Sequence, residues 1–220
     1  MPRPIAIAID GPASSGKGTV ARRVAQELGY SYVDTGALYR SVGLGVLRAG
    51  GEATDPVAAE AAARALDVRF TWEAGRLKVQ IGGEDVSAAI RTEPVSKAAS
   101  AVAVHPGVRA ALLDTQRRLG EGGGVVMDGR DVGTVVLPRA ELKIFLDASL
   151  EERARRRLGD LPGADYAEVL REMAARDAQD AGRATAPLRR ADDAVYLDTT
   201  GLGPDEVVAR IVALARARGA

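Results

Sequence analysis

The sequence predicts a parallel α/β sheet flanked by helices, and three features carry that prediction. Short apolar runs recur along the chain, beginning with Ile5-Ala-Ile-Ala-Ile9, and several of them end in Asp, as strands covered on both faces do. Amphipathic segments of helical length separate the runs. Between the first run and the first helix lies a glycine-rich loop, Asp10-Gly-Pro-Ala-Ser-Ser-Gly16-Lys17-Gly18-Thr19.

Taken in order, the strands are expected at Ile5–Asp10, Tyr30–Val33, Val125–Asp128, Leu142–Asp147 and Ala194–Asp198. The helices are expected at Lys17–Leu28, Leu38–Ala49, Pro106–Leu119, Leu150–Arg157, Tyr166–Ala178 and Pro204–Arg218, and the alanine-rich stretch from Glu52 to Ala65 also reads as helical. The segment from Leu66 to Thr92 breaks this rhythm. Val68-Arg-Phe-Thr-Trp72 and Arg76-Leu-Lys-Val-Gln-Ile81 are β-rich, with turns at Glu73-Ala-Gly75 and Gly82-Gly83 before Asp85-Val-Ser. This predicts a small antiparallel insert, with a plain edge meander as the alternative. Gly120 to Gly124 is a connector, and Leu158 to Asp165, with Gly159, Pro162 and Gly163, reads as a mobile loop. Ligands of such a sheet gather beyond the carboxyl ends of its strands.

Composition narrows the classes of function. At 220 residues the chain can bury a core as one domain, or as a domain with an insert. Lys+Arg and Asp+Glu are both 30, so a nucleic-acid coat or a polybasic membrane surface is not expected, although a local basic cleft is allowed. The lysines are Lys17, Lys78, Lys97 and Lys143, which leaves 26 arginines, the side chain best suited to bidentate phosphate contacts. With no cysteine there is no disulfide, thiolate or cysteine metal site. The one histidine, His105, precedes Pro106 and reads as a loop residue. The apolar run before Asp10 is too short for a signal peptide, and no run approaches the ~18 apolar residues of a membrane span. A cytoplasmic, monomeric protein is the expectation.

The glycine-rich loop has the spacing that binds phosphate: four residues lie between Gly11 and Gly16-Lys17. The loop runs Gly11, Pro12, Ala13, Ser14, Ser15 and Gly16; the backbone N–H groups of all but Pro12, which has none, can line it, and the following helix points its positive end at the same anion. Lys17 adds a mobile charge. A nucleoside triphosphate is the expected ligand. The usual Ser or Thr after the Lys is replaced by Gly18, with Thr19 one residue later. That Gly-Lys-Gly-Thr order resembles nucleoside monophosphate kinases.

Three further clusters carry charge. Asp34-Thr-Gly-Ala-Leu-Tyr-Arg40 follows the second strand, so that Asp34 or Thr35 can cap the next helix and Arg40 lies a turn and a half along it. The segment suits a second anion, or is merely a capped helix with a solvated Arg. Asp128-Gly-Arg130-Asp131-Val-Gly-Thr134 leaves the third strand. Asp128 could orient metal-bound water, Arg130 grip a phosphate and Asp131 accept from an amino group; the alternative is a turn held by an Arg–Asp pair. Arg176, Asp180 and Arg183 share a helical face, which alone reads more readily as a surface ladder of salt bridges. Arg153, Arg156 and Arg157 precede the loop at 158–165 and either neutralise a transferring phosphoryl group or form a solvated face.

In this order these segments resemble the cytidylate kinase family, and the resemblance extends over most of the chain. Its markers are Asp10-Gly-Pro…Gly-Lys-Gly-Thr19, Asp34-Thr-Gly-Ala-Leu-Tyr-Arg40, Asp67-Val-Arg-Phe70, Glu84-Asp-Val-Ser…Ile90-Arg-Thr, Asp128-Gly-Arg-Asp-Val-Gly-Thr134, Lys143-Ile-Phe-Leu-Asp-Ala-Ser149, Arg176-Asp and Ala186-Pro-Leu. The resemblance implies transfer of the γ-phosphoryl group of ATP to CMP or dCMP, with Mg2+. It implies that Gly11 to Thr19 hold ATP, and that Thr35, Arg40 and Arg130, with Arg183 nearby, hold the acceptor phosphate. Ser100, Arg109 and Asp131 would read the cytosine, and Arg176 and Asp180 the ribose. Lys17, Arg130, Arg153 and Arg157 would stabilise the transferring group. No direct metal ligand stands out; Thr19 and Asp128 could meet the ion through water. The core would span about 1–65 and 93–220, a nucleoside-monophosphate-binding insert about 66–92 and a short lid about 153–166. A kinase of the same fold with another acceptor, such as UMP, and a nucleotide-dependent switch are the rival readings.

Overall fold

The computed structural model describes residues 4–73 and 76–220. In chain order the elements are β1 (Ala6–Asp10), α1 (Lys17–Leu28), β2 (Ser31–Asp34), α2 (Thr35–Arg48), α3 (Pro56–Arg64), β3 (Val68–Glu73), β4 (Arg76–Ile81), β5 (Glu84–Asp85), α4 (Glu93–Val102), α5 (Pro106–Gly120), β6 (Val125–Gly129), β7 (Leu142–Asp147), α6 (Leu150–Gly159), α7 (Tyr166–Ala181), β8 (Val195–Asp198) and α8 (Pro204–Arg216). They form two compact units: the described residues of Met1–Asp34 with Leu119–Ala220, and Thr35–Arg118.

The first unit holds a five-stranded parallel sheet in the order β2-β6-β1-β7-β8. All five residues of β1 and of β6 are buried, which is why these strands read as continuous apolar runs. Helices α1 and α8 cover one face: Val20, Val24, Val208 and Ile211 pack with Ile7, Ile9, Ile144 and Leu146. Removing Ile7 and Ile9 from water contributes roughly 2 kcal/mol each. Helix α1 stops at Gly29, whose φ of 68° suits glycine and lets its N–H reach the carbonyls of Ala25 and Gln26. The parallel register places Asp10 beside Gly129, and Asp34 beside Asp128, along one carboxyl edge.

The second unit is built on α2 and α4. They pack closely because Gly43 has no side chain; an added Cβ would sit 3.0 Å from the Ala99 nitrogen. Leu38, Val42, Val46, Ala99 and Val102 form the core between them with Ala59, Ala63, Val108 and Leu112. The three-stranded antiparallel sheet β3-β4-β5 buries Leu77 and Val79 with Val86 and Ile90. This is the β-rich segment predicted between Leu66 and Thr92; Ala74 and Gly75, where a turn was expected, lie outside the described residues.

Several boundaries differ from the sequence expectation for local physical reasons. Helix α2 starts at Thr35, directly after β2, so Thr35 belongs to the first turn and does not cap a helix beginning at Leu38. Helix α3 starts only at Pro56, because Asp55 accepts from the Val57 N–H and Pro56 needs no N–H partner there. Helix α4 was not foreseen. The loop expected over 158–165 is shorter, because Leu158 and Gly159 finish α6 and Asp165 caps α7 through the Glu168 N–H. Leu161 and Ala164 pack against Ala154, Val169 and Met173.

Candidate active site

The phosphate loop is shaped by three residues. An added Cβ at Gly11 would fall 2.0 Å from the Leu146 carbonyl oxygen, so no side chain fits there. Ser14 adopts a left-handed φ of 57°, rare for a residue with a Cβ, and Gly16 follows with φ 90°. Helix α1 then begins at Lys17 without a side-chain cap, which leaves its first-turn N–H groups for an anion. Lys17 is only 5% exposed and donates to the Pro12 carbonyl at 2.5 Å and Ser15 Oγ at 3.2 Å. Burial, with the nearby Arg130 charge, drives its ammonium well below the usual lysine range.

Cations also hold the loop from outside. Arg153, 5% exposed, donates to the carbonyls of Ala13 and Ala148 and pairs with Asp177 at 2.7 Å. Arg156 donates to the Ser15 carbonyl at 3.4 Å and to the Thr199 carbonyl at 2.8 Å, and pairs with Glu152. The solvated-face alternative for this cluster therefore fails at Arg153, which is a buried tie between α6, α7 and the phosphate loop. Arg157 is half-buried and close enough to Arg176 to repel its charge.

At the carboxyl edge of β6, Asp128 is 8% exposed and accepts from the Tyr32 hydroxyl at 2.8 Å. Burial, and then the charge of Asp34, push its carboxyl up to about 7. The structure also explains Gly18. A Cβ there would come within 3.3 Å of the Tyr32 hydroxyl, so glycine leaves room for the Tyr32–Asp128 pair.

Beyond β6 lies an arginine cluster. Arg130 Nε donates to Asp180 Oδ2 at 2.8 Å, and Arg183 donates to Asp180 Oδ1. Asp180 is 1% exposed. Burial alone would push its carboxyl up, but Arg130 and Arg183, with Arg176, outweigh it and hold it below the usual carboxylate range. Burial and the Arg130 charge bring Arg176 down to about 10, and its Nε has no hydrogen-bond partner among the described residues. The surface-ladder reading of this segment is overturned: its acid is buried, and one of its partners, Arg130, lies just beyond β6, 50 residues away. Arg130 thus reaches a partner outside its own turn, on α7. Asp131 is itself buried.

The second unit holds the other expected site residues. Thr35 is buried on the first turn of α2, Arg40 is half-buried one turn later, and Ser100 is half-buried on α4. Arg109, on α5, is buried, donates to the Ala103 carbonyl at 3.3 Å and lies 5.4 Å over the centre of the Tyr39 ring. Such a stack stabilises a guanidinium by about 1–2 kcal/mol. His105 is structural, with Nε2 3.1 Å from the Ala53 carbonyl. The described residues contain no group of three or more His, Cys, Asp or Glu suited to a metal, and no helix long and apolar enough to cross a membrane.

Sequence reasoning missed Asp10. It is 4% exposed, and its two oxygens accept the N–H groups of Val132 and Gly133 at 2.8 and 2.7 Å. Burial lifts its carboxyl to about 6. The signal that could have found it is the charge itself, at the end of a wholly apolar strand.

A parallel sheet that ends in a phosphate loop, with a buried lysine and an arginine cluster at its carboxyl edge, defines a phosphate-loop kinase. The fold agrees: the crystal structure of a gluconokinase from Sinorhizobium meliloti 1021 superimposes with a TM-score of 0.51 at 14% identity, covering 100% of this chain and 95% of that one. Residues 7–217 match the family model for cytidylate kinase. A cytidylate kinase of Saccharophagus degradans is 47% identical over 219 residues, covering 97% of this chain and 98% of that protein. One from Geobacillus kaustophilus is 49% identical over 222 residues, covering 99% of both. The chain belongs to the cytidylate kinase family, and so is an ATP-dependent nucleoside monophosphate kinase.

Proposed function

We propose that this chain transfers the γ-phosphoryl group of ATP to CMP or dCMP, giving ADP and CDP or dCDP. The observation that carries this reading is the gathering of arginines beside the phosphate-loop lysine. Arg130 and Arg183 donate to Asp180, Arg176 feels the charges of all three, and Lys17 feels that of Arg130. Guanidinium groups brought together in this way suit a phosphate.

Phosphoryl transfer asks the protein for positioning and charge stabilisation rather than covalent chemistry. Gly11 to Thr19 would hold the ATP phosphates, with Lys17 on the outer ones. Lys17, Arg130, Arg153 and Arg157 would stabilise the moving group, Arg153 by holding the loop from behind through Ala13. Arg130, with Thr35, Arg40 and Arg183, would grip the acceptor phosphate, and Arg176 and Asp180 the ribose. Ser100, Arg109 and Asp131 would read the base. The 4-amino group of cytosine needs an acceptor, which Asp131 supplies; uracil presents an oxygen there instead. The segment 66–92 is proposed to bind the nucleoside monophosphate and 153–166 to act as a short lid that excludes water. These roles draw on one chain, as a monomer would.

The residues present suit a magnesium ion. Asp128 and Asp34 stand side by side in register, and the repulsion that helps raise the Asp128 carboxyl is what a hydrated dication relieves. Asp128, and Thr19, which is exposed on the first turn of α1, would hold it through water. Magnesium, when bound, neutralises phosphate charge. Label transfer tests the reaction. With γ-labelled ATP and CMP, the label is expected in CDP; label released only as inorganic phosphate overturns the proposal.

A further inference from the structure

Asp10 does more than close a strand. The ladder between β1 and β6 ends at the pair Asp10–Gly129. Three residues later the chain is caught again, when the Asp10 carboxylate accepts the N–H of Val132 on Oδ1 and of Gly133 on Oδ2. Between these two attachments lie only Arg130 and Asp131. The residue on the other side of Asp10 is Gly11, the first of the phosphate loop, which is pressed against the Leu146 carbonyl. One buried carboxylate thus joins the root of the phosphate loop to the segment that carries Arg130 and Asp131.

The surroundings fit that task. Val132–Val136 forms a single wide turn, in which the Leu137 N–H reaches the Val132 carbonyl at 2.7 Å and the Val136 N–H reaches that of Asp131 at 3.3 Å. The turn leaves the N–H groups of Val132 and Gly133 without partners inside it, and Asp10 takes both. A Cβ on Gly133 would come 3.3 Å from Asp10 Oδ2 and 3.2 Å from Lys143 Cδ. Lys143 is itself fixed by Asp193 and the Pro138 carbonyl. The carboxylate therefore rests in a fitted seat. Two N–H donors side by side need two acceptors, and an ionised carboxyl supplies both in charge-assisted bonds. An amide of the same shape supplies one acceptor and sets an NH2 against the other donor.

We propose that Asp10 is a positioning residue that sets Arg130 and Asp131 against the phosphate loop, and through them the affinity and base selectivity for the acceptor nucleotide. The inference rests on the acceptor roles proposed for Arg130 and Asp131.

The test is Asp10→Asn in the full chain, with Gly133→Ala as a second variant that crowds the same seat without removing the charge. Hydrogen exchange at the amides of Val132 and Gly133 is read alongside kinetics with CMP, UMP and ATP. Loss of one charge-assisted bond is expected to speed exchange about tenfold in Asp10→Asn. It should raise KM for CMP about tenfold and shrink the CMP-over-UMP preference, with KM for ATP within about twofold. Gly133→Ala should move the same quantities less far. Unchanged exchange and unchanged CMP kinetics in both variants would overturn the inference. So would equal rises in KM for CMP and ATP with base preference kept, the mark of a merely structural residue. Wild-type protein that does not use CMP overturns the functional reading instead, and the amide exchange still decides whether Asp10 pins the turn.

Discussion

Asp128 and Asp180 lie in the same unit, are both buried, and behave oppositely. Asp128 is lifted to about 7 by burial and the neighbouring Asp34, while the Tyr32 hydroxyl donates to it. Asp180 is held below the usual carboxylate range because Arg130, Arg183 and Arg176 outweigh its burial. Burial alone disfavours charge, and what surrounds the group decides whether the charge survives. The phosphate-loop end, with Lys17 pushed down and Asp10 and Asp128 pushed up, is electrostatically incomplete without its ligands. The arginine cluster is already assembled around its own acid, and the proposed acceptor phosphate would be added to it.

The largest effect should come from the incomplete end. Lys17→Ala is expected to lower kcat about 10²–10³-fold, since a cation aimed at transferring charge does most of its work in the transition state. Its thermal melt should stay close to wild type, because removing a desolvated ammonium relieves strain; near-normal turnover would refute the phosphate role. Next comes the assembled cluster. Asp180→Ala leaves the half-buried Arg130 and Arg183 without their shared acid and should cost about 3 kcal/mol in denaturant unfolding. A loss below about 1 kcal/mol would mean that the cluster is not held by that acid.

Asp131→Ala should then raise KM for CMP about tenfold or more and leave KM for ATP nearly unchanged. Equal losses for both nucleotides would remove Asp131 from base reading. The smallest effect is on pH. Asp10 and Asp128 bind protons more tightly in the folded chain than the ordinary carboxyl value of 3.8. Their contribution to stability is complete below about 4 and is lost as pH rises through about 6 and 7. The buried Lys17 pushes in the opposite direction. The difference between wild type and Asp128→Asn isolates the carboxyl. Without ligand, wild type should lose at least about 1 kcal/mol more than Asp128→Asn between pH 5 and pH 8, read as melting temperature. An equal or reversed dependence would show that Asp128 is not raised.

The five parallel strands were legible because each is a short apolar run with a polar exit, and the structure moves their ends by no more than a residue. The phosphate loop was legible from spacing alone. Helix α4 escaped notice because Glu93-Pro-Val-Ser-Lys-Ala-Ala-Ser-Ala-Val102 carries few large apolar side chains. The buried Val95, Ala98, Ala99 and Val102 do follow helical spacing, and the alanines are small because α2 packs against them at Gly43. The Arg130–Asp180 and Asp10–Gly133 ties could not be read from the chain, since they join positions 50 and 123 residues apart. Within its own segment, Asp180 looked like one rung of a surface ladder.

The most direct test of the central claim is an acceptor comparison with ATP and magnesium, measuring kcat/KM for CMP, dCMP, UMP and AMP side by side. Cytosine read through Asp131 and a phosphate gripped by the arginine cluster predict fast turnover with CMP and dCMP, with UMP and AMP at least about 10²-fold slower. UMP or AMP used as well as CMP would contradict the account.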